Sequence, residues 1–154
     1  MHDFNGCLKR GEDGEHFLDR FFSGRFHIYP VTRRQQRQGI DRIFVNRETG
    51  KVLKVEYKTD YQAGRTGNAF LETVSVDTEG KKGWVYTSKA DYLLYFVVED
   101  LLIYAIRFKT LRRLFPTWLK KYRTGKAVNE GYTTHGLLVP LTEFEKCAEA
   151  VISA

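Results

Sequence analysis

Apolar and polar positions along the chain fall into alternating helical and strand periods. Phe17, Leu18, Phe21 and Phe22 recur at helical spacing, which predicts a helix over 12–22. Asp13 is its expected cap, and the acids of its first turn suit the helix dipole. Residues 1–11 read as a loose lead-in, and Ser23-Gly24 as a helix stop. Residues 26–31 are strand-like, and 32–39 form a basic, amide-rich loop. Two β-rich runs, 40–45 and 52–59, flank Asn46-Arg47-Glu48-Thr49-Gly50-Lys51. Gly50 can take the left-handed conformation there, so the segment predicts a β-hairpin.

Further along, 60–68 is a Gly-bearing loop, and 70–76 is a strand with Phe70, Glu72, Val74 and Val76 on one face. Residues 84–90 are a short helix or turn. The runs 91–98 and 101–108 around Glu99-Asp100 predict a second hairpin, and their near-continuous apolar character predicts buried central strands. Leu111, Leu114, Phe115, Trp118 and Leu119 form the buried stripe of a helix over 109–122, with Pro116 a candidate break. A loop over 125–136, a short strand over 137–141 and a terminal helix capped at or near Thr142 complete the chain. The pattern predicts an α/β domain with a mixed central β-sheet flanked by helices, as a single domain over 1–154.

Composition adds three points. Aromatics make up 14%, so the core should be rich in Phe and Tyr. A net charge of +6 favours an anionic partner. Cys7 and Cys147 lack a paired-ligand spacing, which fits a reduced, cytoplasmic protein. No apolar run opens the chain, and Glu99, Asp100 and Arg107 interrupt its most apolar stretch, so neither a signal peptide nor a membrane span is expected.

The first hairpin concentrates charge. A four-residue loop from Arg47 to Gly50 pairs Asn46 with Lys51, and counting back sets Asp41 opposite Glu56. Strand alternation puts Lys54, Glu56 and Lys58 on one face. Two carboxylates about 4 Å apart repel by roughly 4 kcal/mol at an effective dielectric of 20. A shared proton or a divalent cation would offset that, and Mg²⁺ accepts one or two carboxylates. Lys58 could then hold or activate a water, or stabilise charge on a phosphate. A cross-strand ion-pair ladder on a solvated face is the alternative.

Asp41, fourteen residues, then Glu56-Tyr57-Lys58 resembles the motif of the PD-(D/E)xK nuclease superfamily. Gly67-Asn68, Glu72, Gly83-Trp84 and Thr87-Ser88-Lys89-Ala90-Asp91-Tyr92 resemble its Holliday-junction-resolvase-like and phage-type members. The resemblance covers roughly Gly11 to Phe96; Gly39-Ile40 stands where the family often has a proline. It implies a restriction-endonuclease-like core and a metal-dependent endonuclease acting on DNA. Asp41, Glu56 and the backbone carbonyl of Tyr57 would ligate Mg²⁺ or Mn²⁺, and Lys58 would position or deprotonate the attacking water. Glu15 matches the family's first-helix glutamate, against a plain first-turn acid; Glu72 is a weaker candidate. Cleavage of RNA and a catalytically inactive nucleic-acid-binding module are the alternatives.

Seven arginines and one acid, Asp41, lie between Arg20 and Arg47. Arginine forks suit phosphates, so Arg33, Arg34 and Arg37 are candidate DNA contacts, with Arg65 on the later loop. Lys109 to Lys126 holds seven basic residues and no acid, either a second phosphate surface or a solvated helix face. His135 is a lone loop histidine with no catalytic assignment. DNA is the expected partner; no membrane is expected, and a homodimer is allowed.

Overall fold

The computed structural model describes the backbone of residues 4–154 and the side chains of residues 10–154. The order of elements is α1 (Phe4–Phe22), β1 (Phe26–Pro30), α2 (Arg33–Arg37), β2 (Arg42–Asn46), β3 (Val52–Asp60), α3 (Ala63–Thr66), β4 (Asn68–Val76), β5 (Lys81–Lys82), α4 (Trp84–Thr87), β6 (Tyr92–Val97), β7 (Leu102–Arg107), α5 (Phe108–Lys121), β8 (Thr124–Asn129), β9 (Tyr132–Pro140), α6 (Leu141–Cys147) and β10 (Ala150–Ser153). A six-stranded mixed sheet has the order β1-β2-β3-β6-β7-β10, and a four-stranded sheet the order β5-β4-β9-β8.

The first hairpin forms as its turn dictates. Asn46 N–H donates to Lys51 O at 2.9 Å, Gly50 N–H donates to Asn46 O at 2.8 Å, and Gly50 has φ 72°. The register runs from Val45↔Val52 to Arg42↔Val55, which sets Asp41 opposite Glu56. β3 then pairs in parallel with β6, and β6 forms an antiparallel hairpin with β7. The crossover from β3 to β6 carries α3, β4, β5 and α4, so the second sheet grows out of this connection and packs beside the first.

The six-stranded sheet is buried on both faces. On one, Leu18 and Phe22 of α1 pack on Phe44, Val55, Tyr57, Leu94 and Phe96. On the other, Leu93, Tyr95 and Ile106 meet Trp84, Leu111, Phe115, Trp118 and Phe144. Strand alternation therefore turns Tyr57 toward α1 and turns Glu56 and Lys58 toward the α4–α5 side.

Several elements differ from the sequence reading. The lead-in is helical from Phe4 onward, so Asp13 is no cap and α1 has no acid in its first turn. Gly14 lies within α1 at a close approach, where a Cβ would collide with the Thr59 side chain of β3. The basic loop contains α2, closed by a capping box between Thr32 and Gln35, and the loop after β3 contains α3. The stretch expected as a loop over 125–136 is mostly a hairpin, β8–β9, turning at Gly131 with φ 80°. His135 is therefore a strand residue, 3.6 Å from Asp77. Pro116 lies inside α5 without ending it, since Phe115 and Trp118 anchor both sides, while Leu119 is exposed rather than part of the stripe. The N-cap of α6 is Pro140, without a side-chain hydrogen bond, in place of Thr142. β10 was not expected; it pairs with β7 and extends the first sheet. Among the described residues no helix is long and apolar enough to cross a membrane.

Candidate active site

Four elements carry the candidate acids and the lysine to one place. Asp41 stands at the entry to β2, where its N–H donates to Val55 O at 2.8 Å and its Oδ2 accepts from Tyr57 N–H at 2.7 Å. N–H and C=O of one strand residue face the same neighbour, so the Tyr57 carbonyl opens on the edge where Asp41 lies. Glu56 points to the opposite face from Tyr57 and is 4% exposed. Its Oε1 lies 3.2 Å from Lys58 Nζ, and Lys58 Nζ lies 5.4 Å from the centre of the Trp84 ring.

Burial raises the proton affinity of Glu56 and Asp41. Glu56 is pushed above the ordinary carboxylate range by burial; Lys58 opposes the shift, and Asp41 adds to it. Asp41 is likewise raised by burial, against the Tyr57 N–H bond, Lys58 and Arg42. Burial alone would lower Lys58, yet Glu56, Asp41 and Glu72 together outweigh it and raise its affinity for the proton. Glu72 on β4 thus reaches the site electrostatically without touching the other acids.

Glu15 comes in from α1. Burial and then Asp41 raise its proton affinity, and Arg42 Nη2 lies 3.7 Å from its Oε2. Its place in mid-helix removes the helix-dipole explanation for a glutamate here. One turn on, Asp19 accepts from Arg42 Nε at 3.0 Å, from Arg42 Nη2 at 3.1 Å and from Tyr57 Oη at 2.9 Å. The Arg42 guanidinium also lies 5.4 Å from the centre of the Tyr57 ring. These bonds clamp α1 to β2 and β3 beside Asp41.

Three contributors, Ser88, Gly39 and Arg112, had no role assigned from the sequence. Ser88 lies beside Glu56 and donates to Gly39 O at 2.7 Å. Gly39 has φ 73°, and a Cβ there would meet Ser88 Cα at 2.8 Å, so the turn before Asp41 rests on the residue after α4. Arg112 of α5 turns inward from the cationic face, donating to Val85 O at 2.9 Å and to Ser88 O. Burial lowers its proton affinity and Glu56 opposes that. Only their residue types could be read along the chain; their meeting depends on packing between distant segments.

Among the arginines, Arg33, Arg34 and Arg37 are exposed on α2, one short turn before Asp41. Arg65 is exposed on α3, the short helix that follows the C-terminal end of β3, where Gly64 packs against Glu99.

A hard cation that keeps much of its water is the kind of ion so few oxygen donors could hold. Among the described residues no three His, Cys, Asp or Glu side chains are grouped to hold a metal ion; the groups here that could do so are the Asp41 and Glu56 carboxylates and the Tyr57 carbonyl. That is a sparse set for Zn²⁺ and an ordinary one for Mg²⁺. Glu56 Oε2 is buried and has no hydrogen-bond partner among the described residues. A buried carboxylate oxygen without a partner is costly, and a cation between it and Asp41 would satisfy it. Compared with models of known protein families, with curated proteins and with solved structures, the chain finds no match.

Proposed function

We propose that this chain is a Mg²⁺-dependent endonuclease that hydrolyses phosphodiester bonds in DNA, on a core resembling that of the PD-(D/E)xK nucleases. The observation that carries the reading is the partnerless Glu56 Oε2, buried beside Asp41 with Lys58 on the same face. A surface ion-pair ladder would need a solvated face, and Glu56 is 4% exposed. Asp41, Glu56 and the Tyr57 carbonyl would hold the ion, which when bound supplies positive charge against a phosphate and makes a water molecule more acidic. Lys58 presents an ammonium toward the same space, held by Glu56, where it orients a water or neutralises charge on the phosphate. Glu15 and the Asp19–Arg42 pair keep Asp41 in position from the α1 side. Cleavage of a panel of labelled DNA forms with Mg²⁺ or Mn²⁺, against a chelator control, tests the proposal; no cleavage and no ion binding with any divalent metal refutes it.

One observation favours a second reading, a catalytically silent nucleic-acid-binding module. The Glu56–Lys58 pair at 3.2 Å already neutralises one acid without an ion. Such a module binds DNA equally with and without Mg²⁺ and cleaves nothing.

Two expected results follow from the surroundings of the site. Exposed Arg33, Arg34 and Arg37 on α2, with Lys109, Arg113, Lys120 and Lys121 on α5, present a cationic surface. If about six phosphates are neutralised, log Kobs falls with log salt at a slope near −5. Titration by anisotropy between low and physiological salt measures it, and affinity indifferent to salt would discard the surface. For α1, Glu15→Gln lowers cleavage by about tenfold or more while the melting temperature stays within about 2 °C, since no dipole contribution is lost in mid-helix. Activity within threefold of the parent would remove Glu15 from the site.

A further inference from the structure

A recess opens at the C-terminal end of β3, the strand that carries Glu56 and Lys58. Thr59 and Asp60, the residues after Lys58, line it, and its volume is about 540 Å³. Arg10 of α1, Tyr61, Phe70 of β4, and Arg123 and Lys126 at the start of β8 line it. Three of these side chains are cationic. The one acid, Asp60, is committed elsewhere: its Oδ1 accepts from Gln62 N–H and Ala63 N–H at 2.8 Å each, and its Oδ2 accepts from Tyr95 Oη. The recess therefore presents net positive charge to whatever enters it.

Its aromatic wall is held rigidly. The Phe70 ring lies against the backbone of Gly136, where a Cβ would stand 2.6 Å from the ring. The Arg10 guanidinium sits 5.5 Å from the centre of the Tyr61 ring, and Tyr61 Oη donates to Arg10 O at 2.9 Å. Arg123 and Lys126 are exposed and free to reach outward. A cationic groove with a fixed aromatic ring matches what an unpaired strand requires. The backbone follows the charges, and a base stacks on the ring, which it cannot do while both its faces are covered inside a duplex. The volume accommodates a nucleotide or two and lies within the range of small-ligand sites.

We propose that this groove binds the unpaired strand of a DNA substrate, with a base stacked on Phe70 and its flanking phosphates on Arg123, Lys126 and Arg10. Resting on the nuclease reading of the neighbouring acids, this makes boundaries between duplex and single strand the preferred substrate class, because the groove begins at Thr59 and Asp60, at the end of the strand that carries Glu56 and Lys58.

The test is anisotropy of a labelled twelve-residue oligo(dT) and of a blunt duplex of equal length, in a chelator, with the full chain. Phe70→Ala weakens oligo(dT) binding about tenfold, within the range for loss of one stacked base, and leaves the salt slope unchanged. Arg123→Ala and Lys126→Ala, exposed changes that preserve the fold, each make the single-strand slope shallower by about 0.7. Blunt duplex binding changes less than threefold in all three. Absence of oligo(dT) binding, or equal losses for duplex and single strand, overturns the groove; so does an oligo(U) affinity ten times that for oligo(dT), which would assign it to RNA. If blunt duplex is cleaved with Mg²⁺ while oligo(dT) fails to bind, the groove is wrong and the nuclease reading stands. If groove-dependent binding occurs and no DNA form is cleaved, the nuclease reading fails and the groove stands.

Discussion

Asp41→Asn abolishes Mg²⁺-dependent cleavage and raises the melting temperature of the metal-free protein. Both effects come from one cause. Burial makes Asp41 and Glu56 hold their protons more tightly in the folded chain than in the unfolded one. A carboxyl group of that kind contributes stability while protonated and loses it as pH rises through its folded pKa. Near neutral pH both acids are thus a cost to the folded state. The amide removes one of them and keeps an oxygen to accept from Tyr57 N–H. The gain disappears below about pH 4, where Asp41 is protonated in both states. With Mg²⁺ at a hundred times its Kd, the parent gains about 2.7 kcal/mol, and Asp41→Asn gains almost nothing because a ligand is missing. Calorimetry of both proteins at pH 4 and pH 7, with and without Mg²⁺, reads all four quantities. A variant less stable than the parent in metal-free buffer at pH 7, with equal Mg²⁺ responses, would mean that these acids are a structural pair and hold no ion.

Lys58→Ala separates the lysine from the ion. Cleavage falls by about a hundredfold or more, the size expected when one charge-stabilising donor is removed. Metal binding persists, and the Mg²⁺-induced rise in melting temperature is at least as large as in the parent, because the ion takes over the charge that Lys58 placed against Glu56. Without metal the variant is less stable. It loses a hydrogen bond to a charged, buried carboxylate, worth about 1.5–3 kcal/mol. Glu56 then holds its proton still more tightly, so the deficit is largest at neutral pH and shrinks on acidification. An exposed ladder predicts the opposite pattern: a loss of at most about 1 kcal/mol and no metal response in any protein. If Lys58→Ala cleaved within tenfold of the parent, the lysine would have no part in the reaction.

The juxtaposition of Asp41 and Glu56 was legible along the chain because it is local. Asn46 to Lys51 carries its own turn chemistry, the turn sets the register, and the two-residue period of a strand puts Glu56 and Lys58 on one face. The hairpin of Tyr92–Val97 with Leu102–Arg107 was readable for a similar reason, since its apolar runs are too continuous for an exposed strand. By contrast, β8–β9 and β10 carry weak signals of their own. Thr124–Asn129 is polar, and Ala150–Ser153 is only four residues long. They become strands because β4 and β7 offer unpaired edges whose hydrogen bonds need partners, and those edges lie far away in the chain.

What makes the charged hairpin a candidate site is also non-local. The spacing of Asp41, Glu56 and Lys58 is the same whether that face is wet or buried, so the sequence leaves open both a solvated ladder and a cation site. The face is closed by Trp84 and Ser88, which arrive with the crossover, and by Arg112, which turns in from α5. Glu15 reaches Asp41 because Gly14 lets α1 settle on Thr59. The residues and their order settle the charges, the turn and the alternation, each of which depends on neighbours a few positions apart. Burial, and with it the raised proton affinities and the partnerless oxygen of Glu56, is a property of segments some thirty to sixty residues apart meeting in space.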